Sequence, residues 1–134
     1  MSRVLVDSSV WIELFRSTSS PAVDALGLLL RDGLVCTHGL IRAELLSGTK
    51  SLGDYRRLNE GLSALDDLPD PPDLWDRVAL ARYRLARKGI QSAVADLVIA
   101  AVAVHHGRSL YTLDHGFQAI RKVMDLELYR PSSH

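Results

Sequence analysis

Val4-Leu5-Val6-Asp7-Ser8-Ser9-Val10-Trp11 is the stretch from which the fold can be read. Three aliphatic residues in succession suit a short central strand covered on both faces, not an alternating edge strand. Asp7 then stands at the strand's carboxyl end. In open parallel α/β sheets ligands bind in the crevice beyond the strands' carboxyl ends, so an acid there is a candidate for chemistry. These residues leave a second reading open, in which Asp7 or Ser8 caps the helix that follows from Ser9 to Arg16.

Outward from that stretch the chain alternates helices and short apolar runs. Trp11, Leu14 and Phe15 fall at helical spacing, and a Ser/Thr loop ends that helix. Ser20-Pro21 supplies a cap and a first-turn proline, and Asp32-Gly33 a stop. The helix between them presents Val23, Leu26 and Leu30 on one side, with Leu28 and Leu29 extending the face. Leu34-Val35-Cys36 is a second strand, and His38 to Ser47 a third helix ended by Gly48. In that helix Leu40, Ile41 and Leu45 form an apolar face with Glu44 in its middle. A buried, unpaired carboxylate costs several kcal/mol or is protonated, so Glu44 needs either an Arg partner or a metal or shared acidic cluster.

A more polar helix is expected over 51–63, then a solvated acidic, proline-rich connection from Asp66 to Asp73. Pro72 opens a long helix to Arg87 with Trp75, Val78, Ala81 and Leu85 inward. Arg77, Arg84 and Lys88 form a basic stripe on its outer face, which is either plain solvated surface or a track for an RNA backbone. Ser92 can cap the next helix, apolar all round from Leu97 to Val104, with Asp96 in its first turn, where the helix dipole favours negative charge. Ser109-Leu110-Tyr111-Thr112 reads as another buried strand, with Asp114 just past its end. A short helix around Phe117 to Lys122 follows, Leu126 to Tyr129 closes the sheet, and the Pro131-to-His134 tail is expected to be frayed and without function.

The length of 134 residues suits one domain. With 47% hydrophobic and 24% charged residues, long disorder is excluded. The apolar run from Leu97 to Val104 is too short for a bilayer, and Arg3, Asp7 and Glu13 leave no signal-peptide core. The single Cys36 fits a reducing cytoplasm. Sixteen cations balance sixteen acids, which argues against general electrostatic binding to nucleic acid but permits a local basic face.

Each acid alone has a plain structural explanation, but Asp7, Glu44, Asp96 and Asp114 fall where one cleft can gather them. Their mutual repulsion would raise their pKa values unless a divalent cation neutralised them. Hard oxygen ligands without Cys or His favour Mg²⁺ or Mn²⁺ over Zn²⁺. Such a site suits phosphodiester hydrolysis.

Four segments carry a resemblance: Asp7-Ser8-Ser9-Val10-Trp11, Arg42-Ala43-Glu44-Leu45-Leu46-Ser47-Gly48, Asp96-Leu97-Val98-Ile99-Ala100-Ala101 and Thr112-Leu113-Asp114. In this order and spacing they resemble PIN-domain ribonucleases, and more narrowly the VapC toxins of bacterial toxin–antitoxin pairs, over about residues 3–129. The resemblance implies a single three-layer α/β/α domain around a mainly parallel sheet. It also implies an Mg²⁺-dependent endoribonuclease acting on tRNA or ribosomal RNA, a homodimer, and inhibition by a cognate VapB-type antitoxin over the cleft. Carried over by position, Asp7 and Asp96 are direct metal ligands, Glu44 and Asp114 complete the acidic quartet, and Ser8 and Thr112 support the site or its substrate. Many members have a further Asp two residues after the fourth acid; here Gly116 stands there, which takes that ligand from a second metal. His115 is either a substrate contact or a loop residue without a role.

Antitoxin docking is expected on apolar surface of the first two helices near Trp11, Phe15, Leu28 and Leu29. Two other α/β classes are disfavoured. A phospho-accepting receiver needs a Lys after a late strand, and none stands there; a haloacid-dehalogenase-like phosphatase needs Asp where Ser9 stands. The alternative to an enzyme is a PIN fold that binds RNA or an antitoxin without cutting.

Overall fold

The computed structural model describes residues 2–16 and 19–131. The Ser/Thr loop and the C-terminal tail named above therefore lie partly outside the described residues. The elements, in chain order, are β1 (Val4–Val6), α1 (Ser8–Arg16), α2 (Pro21–Arg31), β2 (Val35–Thr37), α3 (Gly39–Ser47), α4 (Leu52–Ser63), β3 (Asp66–Asp67), α5 (Leu74–Arg87), α6 (Val94–His105), β4 (Ser109–Tyr111) and α7 (Phe117–Ile120).

The strands form one parallel sheet in the order β3-β2-β1-β4. Val4, Leu5 and Val6 pair with Ser109, Leu110 and Tyr111 on one side, and Val4 and Leu5 with Val35 and Cys36 on the other. The chain thus starts in the middle, winds outward through β2 and β3, and crosses back to lay β4 on the opposite side of β1. Right-handed crossovers put the helices of the outward path on one face and those of the return path on the other. The packing follows: α1 to α4 touch one another, as do α5, α6 and α7. This three-layer α/β/α arrangement is the expected fold. Leu126 to Tyr129 adds only a parallel bridge, Leu110 to Leu128, at the outer edge of β4.

Local signals set the helix boundaries. The Ser20 and Ser51 hydroxyls accept the N–H groups of Val23 and Asp54 and so cap α2 and α4. His38 caps α3 through Nδ1, which accepts the Leu40 N–H, so Nε2 carries the proton and faces Asp70. α6 is buried continuously from Leu97 to Ala103, as its uniform apolarity requires.

Four expectations are corrected. α6 has Ala93 at its N-cap and no side-chain cap, so Ser92 does not cap it. In α5 the inward stripe is Leu74, Val78, Ala81 and Leu85; Leu74 takes the core position and leaves the adjacent Trp75 66% exposed. In α2 the buried residues are Val23, Leu26 and Leu29, and both Leu28 and Leu30 face outward. The acidic connection is not simply solvated. Asp66 and Asp67 pair with Cys36 and Thr37 as an edge strand, and Leu68 buries itself beside them with its N–H on the Thr37 carbonyl. Each acid of this segment finds a partner: Asp66 with Arg3, Asp67 with Arg42 and Asp73 with Arg77 as ion pairs, and Asp70 with His38 by a hydrogen bond.

No helix of the described residues is long and apolar enough to cross a membrane. Cys36 is fully buried in β2, and burial, then the Asp66 charge, push its thiol up to about 11. A thiol raised in this way favours the folded state fully below the unfolded thiol's pKa of about 8.5, and that contribution is lost as pH climbs through about 11. Native protein at pH 8 should therefore resist iodoacetamide and incorporate the label once guanidinium unfolds it; rapid native labelling would contradict this packing, and mass spectrometry reads either result.

Candidate active site

The reversal of strand order, the place where open α/β sheets bind ligands, lies between β1 and β4. Asp7 follows β1 and Thr112 follows β4. The Asp7 N–H donates to the Tyr111 carbonyl at 2.9 Å, which extends the ladder past β1 and sets the two residues beside each other. Asp7 is only 6% exposed. Its Oδ2 accepts hydrogen bonds from Ser9 Oγ and Thr112 Oγ1, each at 2.8 Å. Ser9 Oγ in turn accepts the Leu113 N–H at 2.9 Å, and Thr112 Oγ1 the Asp114 N–H at 3.0 Å. Both hydroxyls relay backbone dipoles onto one carboxylate oxygen, which is how a buried charge is kept tolerable.

This contact separates two adjacent serines. Ser9 holds Asp7, whereas Ser8 lies half-buried in the first turn of α1. Ser9 was not among the candidate site residues; its signal was its position, two residues after a strand-end acid. The Asp7 carboxylate takes hydroxyl donors, so helix capping does not account for it.

The other three acids approach from separate elements. Asp96, in the first turn of α6, is half-buried, and its pKa is raised by desolvation and by the charges of Asp114 and Asp7. Glu44 on α3 is raised by partial desolvation and by Asp7 and Asp96. It is not in the middle of a buried face. α3 buries Ile41, Leu45 and Leu46, with Leu40 only partly covered, so the stripe is rotated and Glu44 emerges over the cleft. Asp114 is exposed, and its Oδ1 accepts the Gly116 N–H at 2.8 Å. His115 is exposed on the same loop.

Asp96 therefore feels Asp114 and Asp7, and Glu44 feels Asp7 and Asp96, which sets the four carboxylates around one place. They are not closed into a chelate: among the described residues no three His, Cys, Asp or Glu side chains are grouped to hold a metal ion. The donor chemistry nevertheless fits a hard divalent cation. Gly116 lies tight against the cluster: a Cβ there would stand 3.2 Å from Asp114 Oδ1, closer than ordinary van der Waals contact, and 3.8 Å from Asp96 Oδ2. Glu44 and Asp114 are exposed.

The family model for the PIN domain matches residues 4–123. The chain belongs to the PIN-domain family. It is 30% identical over 128 residues to a VapC ribonuclease of Mycobacterium bovis, covering 92% of this chain and 96% of that protein. Ribonuclease VapC21 of Mycobacterium tuberculosis is 33% identical over 99 residues, covering 72% of this chain and 68% of that one. Among solved structures, VapBC2 from Rickettsia felis bound to promoter DNA has a TM-score of 0.74 at 18% identity, covering 94% of this chain and 96% of that chain. DNA-bound VapBC from Salmonella typhimurium has a TM-score of 0.74 at 21% identity, covering 96% and 98%. These PIN-fold likenesses bear out the expected family and fold, with the VapC ribonucleases as relatives.

Like charges without a counter-ion destabilise the fold that gathers them. Asp96→Asn should raise the melting temperature in chelator by roughly 2–5 °C. Divalent cation should stabilise the parent protein but not this variant. Scanning calorimetry of both proteins, with chelator and with Mg²⁺, checks the prediction; an unchanged or lower melting temperature for the variant in chelator would show that repulsion is not felt there.

Proposed function

We propose that this PIN domain is a metal-dependent endoribonuclease, the toxin of a VapBC-type pair, and that it cuts tRNA or ribosomal RNA with Mg²⁺. The observation that carries the reading is the convergence of four acids from β1, α3, α6 and the loop after β4 on the switch point of a parallel sheet. The ribonuclease names of its relatives support the same reaction class.

In this reading Asp7 and Asp96 hold the cation directly, and Glu44 and Asp114 complete the set. A bound divalent ion lowers the pKa of a water and offsets charge on the phosphate oxygens. Asp7 is positioned by Ser9 and Thr112, which fix one oxygen and thereby the orientation of the other. The raised affinity of Glu44 for a proton suits a carboxylate that orients or deprotonates water. Mn²⁺ satisfies the same oxygen ligands.

A mixed pool of tRNA and ribosomal RNA, incubated with protein in Mg²⁺ or chelator, tests this. A discrete cut should appear only with metal, and Asp96→Asn should lose roughly a hundredfold or more of the rate. Intact RNA in every lane would favour the fold as a binder without turnover.

The proposed partners are the RNA, a VapB-type antitoxin and a second copy of the chain in a homodimer, all in the cytoplasm. For the antitoxin, α1 and α2 offer a groove of about 560 Å³ lined by Leu14, Val23, Leu26 and Leu28. Of the residues expected there, Trp11 and Leu29 belong to the core, while Phe15 and Leu28 are 54% and 52% exposed beside Ile12 and Leu30. Replacing Phe15 and Leu28 together by Ser should weaken antitoxin binding roughly thirtyfold without altering RNA cleavage. Unchanged affinity in a titration would move the antitoxin elsewhere.

A further inference from the structure

A cleft of four carboxylates repels the polyanion it is proposed to cut, so the strand has to be held by cations close by. We infer that the groove between the C-terminal end of α5 and the segment after α7 holds RNA phosphates next to the acidic cleft. This inference rests on the nuclease reading and adds the surface that binds its substrate.

The groove has a volume of about 770 Å³ and is lined by Arg84, Arg87, Lys88, Arg121 and Lys122, against one acid, Asp125. All five cations are exposed. Among the described ion pairs, carboxylate partners go to Arg3, Arg31, Arg42, Arg57 and Arg77, and to none of these five. Arg77, which the helical spacing groups with Arg84 and Lys88, is paired with Asp73. The stripe on one helix is thus broken, and the cations that remain are completed across a groove by a second element.

Two of the guanidinium groups are held in place without being neutralised. Arg121 donates Nε to the Leu126 carbonyl at 3.2 Å, and the Arg87 guanidinium lies 5.0 Å from the centre of the Tyr83 ring. Fixed guanidinium forks suit bidentate phosphate contacts at low entropic cost.

The groove also adjoins the cleft. Gly116, whose Cβ position falls between Asp114 and Asp96, immediately precedes α7, and Arg121 immediately follows it. One short helical turn, roughly 6 Å of axis, separates them. On the other side Lys88 begins the connection into α6, which carries Asp96. A strand whose scissile phosphate lies at the acids therefore reaches these cations within a few nucleotides. An acidic protein segment would also satisfy the charges, but it would not explain their position beside a site that must overcome repulsion of RNA.

The experiment measures binding of labelled bulk tRNA by the Asp96→Asn protein as a function of salt at fixed Mg²⁺. Changing Arg87, Lys88 and Lys122 together to Gln should weaken binding at least tenfold and reduce the log–log salt slope by about 2, the effect of three lost phosphate contacts. A control triple, Lys50, Arg56 and Arg130 to Gln, removes the same charge outside the groove and should alter binding far less. In the cleaving protein the groove triple should raise KM and spare kcat. Equal weakening by both triples, an unchanged slope, or no tRNA binding by the parent would overturn the inference. So would weakened antitoxin capture with intact RNA affinity, which would give the cations to a protein partner. RNA bound through the groove but never cut would retire the nuclease reading and leave the groove standing; RNA cut normally by the groove triple would do the reverse.

Discussion

A carboxylate buried at the end of the central strand is the constraint on which the rest of this fold depends. Desolvating Asp7 without compensation would cost several kcal/mol. Compensation comes from two hydroxyls, one from the first turn of α1 and one from the residue after β4. Ser9 reaches Asp7 locally, but Thr112 does so only because β4 lies directly against β1 with Val6 opposite Tyr111. The crossover through α5 and α6 brings β4 there, and the buried length of α6 anchors that crossover. Register, crossover and core thus converge on one oxygen atom, Asp7 Oδ2.

Charge is distributed unevenly around this frame. Along the β3 edge every acid from Asp66 to Asp73 is matched by an Arg or His, which ties a nearly strandless connection to the sheet. At the cleft Asp7 is matched by hydroxyls and Asp114 by a backbone N–H, while Asp96 and Glu44 keep pKa values raised by desolvation and then by the neighbouring acids. The chain has the cations for such pairs, since acids and bases are equal in number. Several stand instead in the groove along α5 and α7. Stability is thereby forgone at one place where the proposed chemistry wants uncompensated negative charge.

The parts legible in the sequence were those governed by local rules. Three aliphatic residues before Asp7, the serine cap at Ser20 and uniform apolarity after Asp96 each specify one element without reference to distant residues. The gathering of the four acids was legible too, because strand ends and a first helical turn in a parallel α/β chain point toward one crevice. Illegible were features decided by rotation or by long-range pairing. Trp75 and Leu74 differ by one position on a helix, and only packing decides which enters the core. Asp66 and Asp67 have the composition of a turn and become a strand because β2 offers an open edge and Leu68 needs cover. Ser8 and Ser9 are indistinguishable until Thr112 is placed opposite one of them. The basic groove joins residues more than thirty positions apart, and no helical periodicity shows it.

Gly116 connects these observations. Where the resemblance places a further carboxylate, this chain has Gly116, whose N–H donates to Asp114 and whose Cβ position lies against Asp114 and Asp96. The absent side chain leaves one charge fewer at the cluster and so lessens the repulsion among the remaining acids. On the proposed reading, four carboxylates around one divalent ion would still carry net negative charge and would not draw in a phosphodiester by attraction alone. Holding the strand then falls to cations outside the cleft, on elements free to vary without disturbing Asp7. On this proposal cutting and holding are separable properties: the first would depend on the register between β1 and β4, the second on surface residues of α5 and the turn after α7.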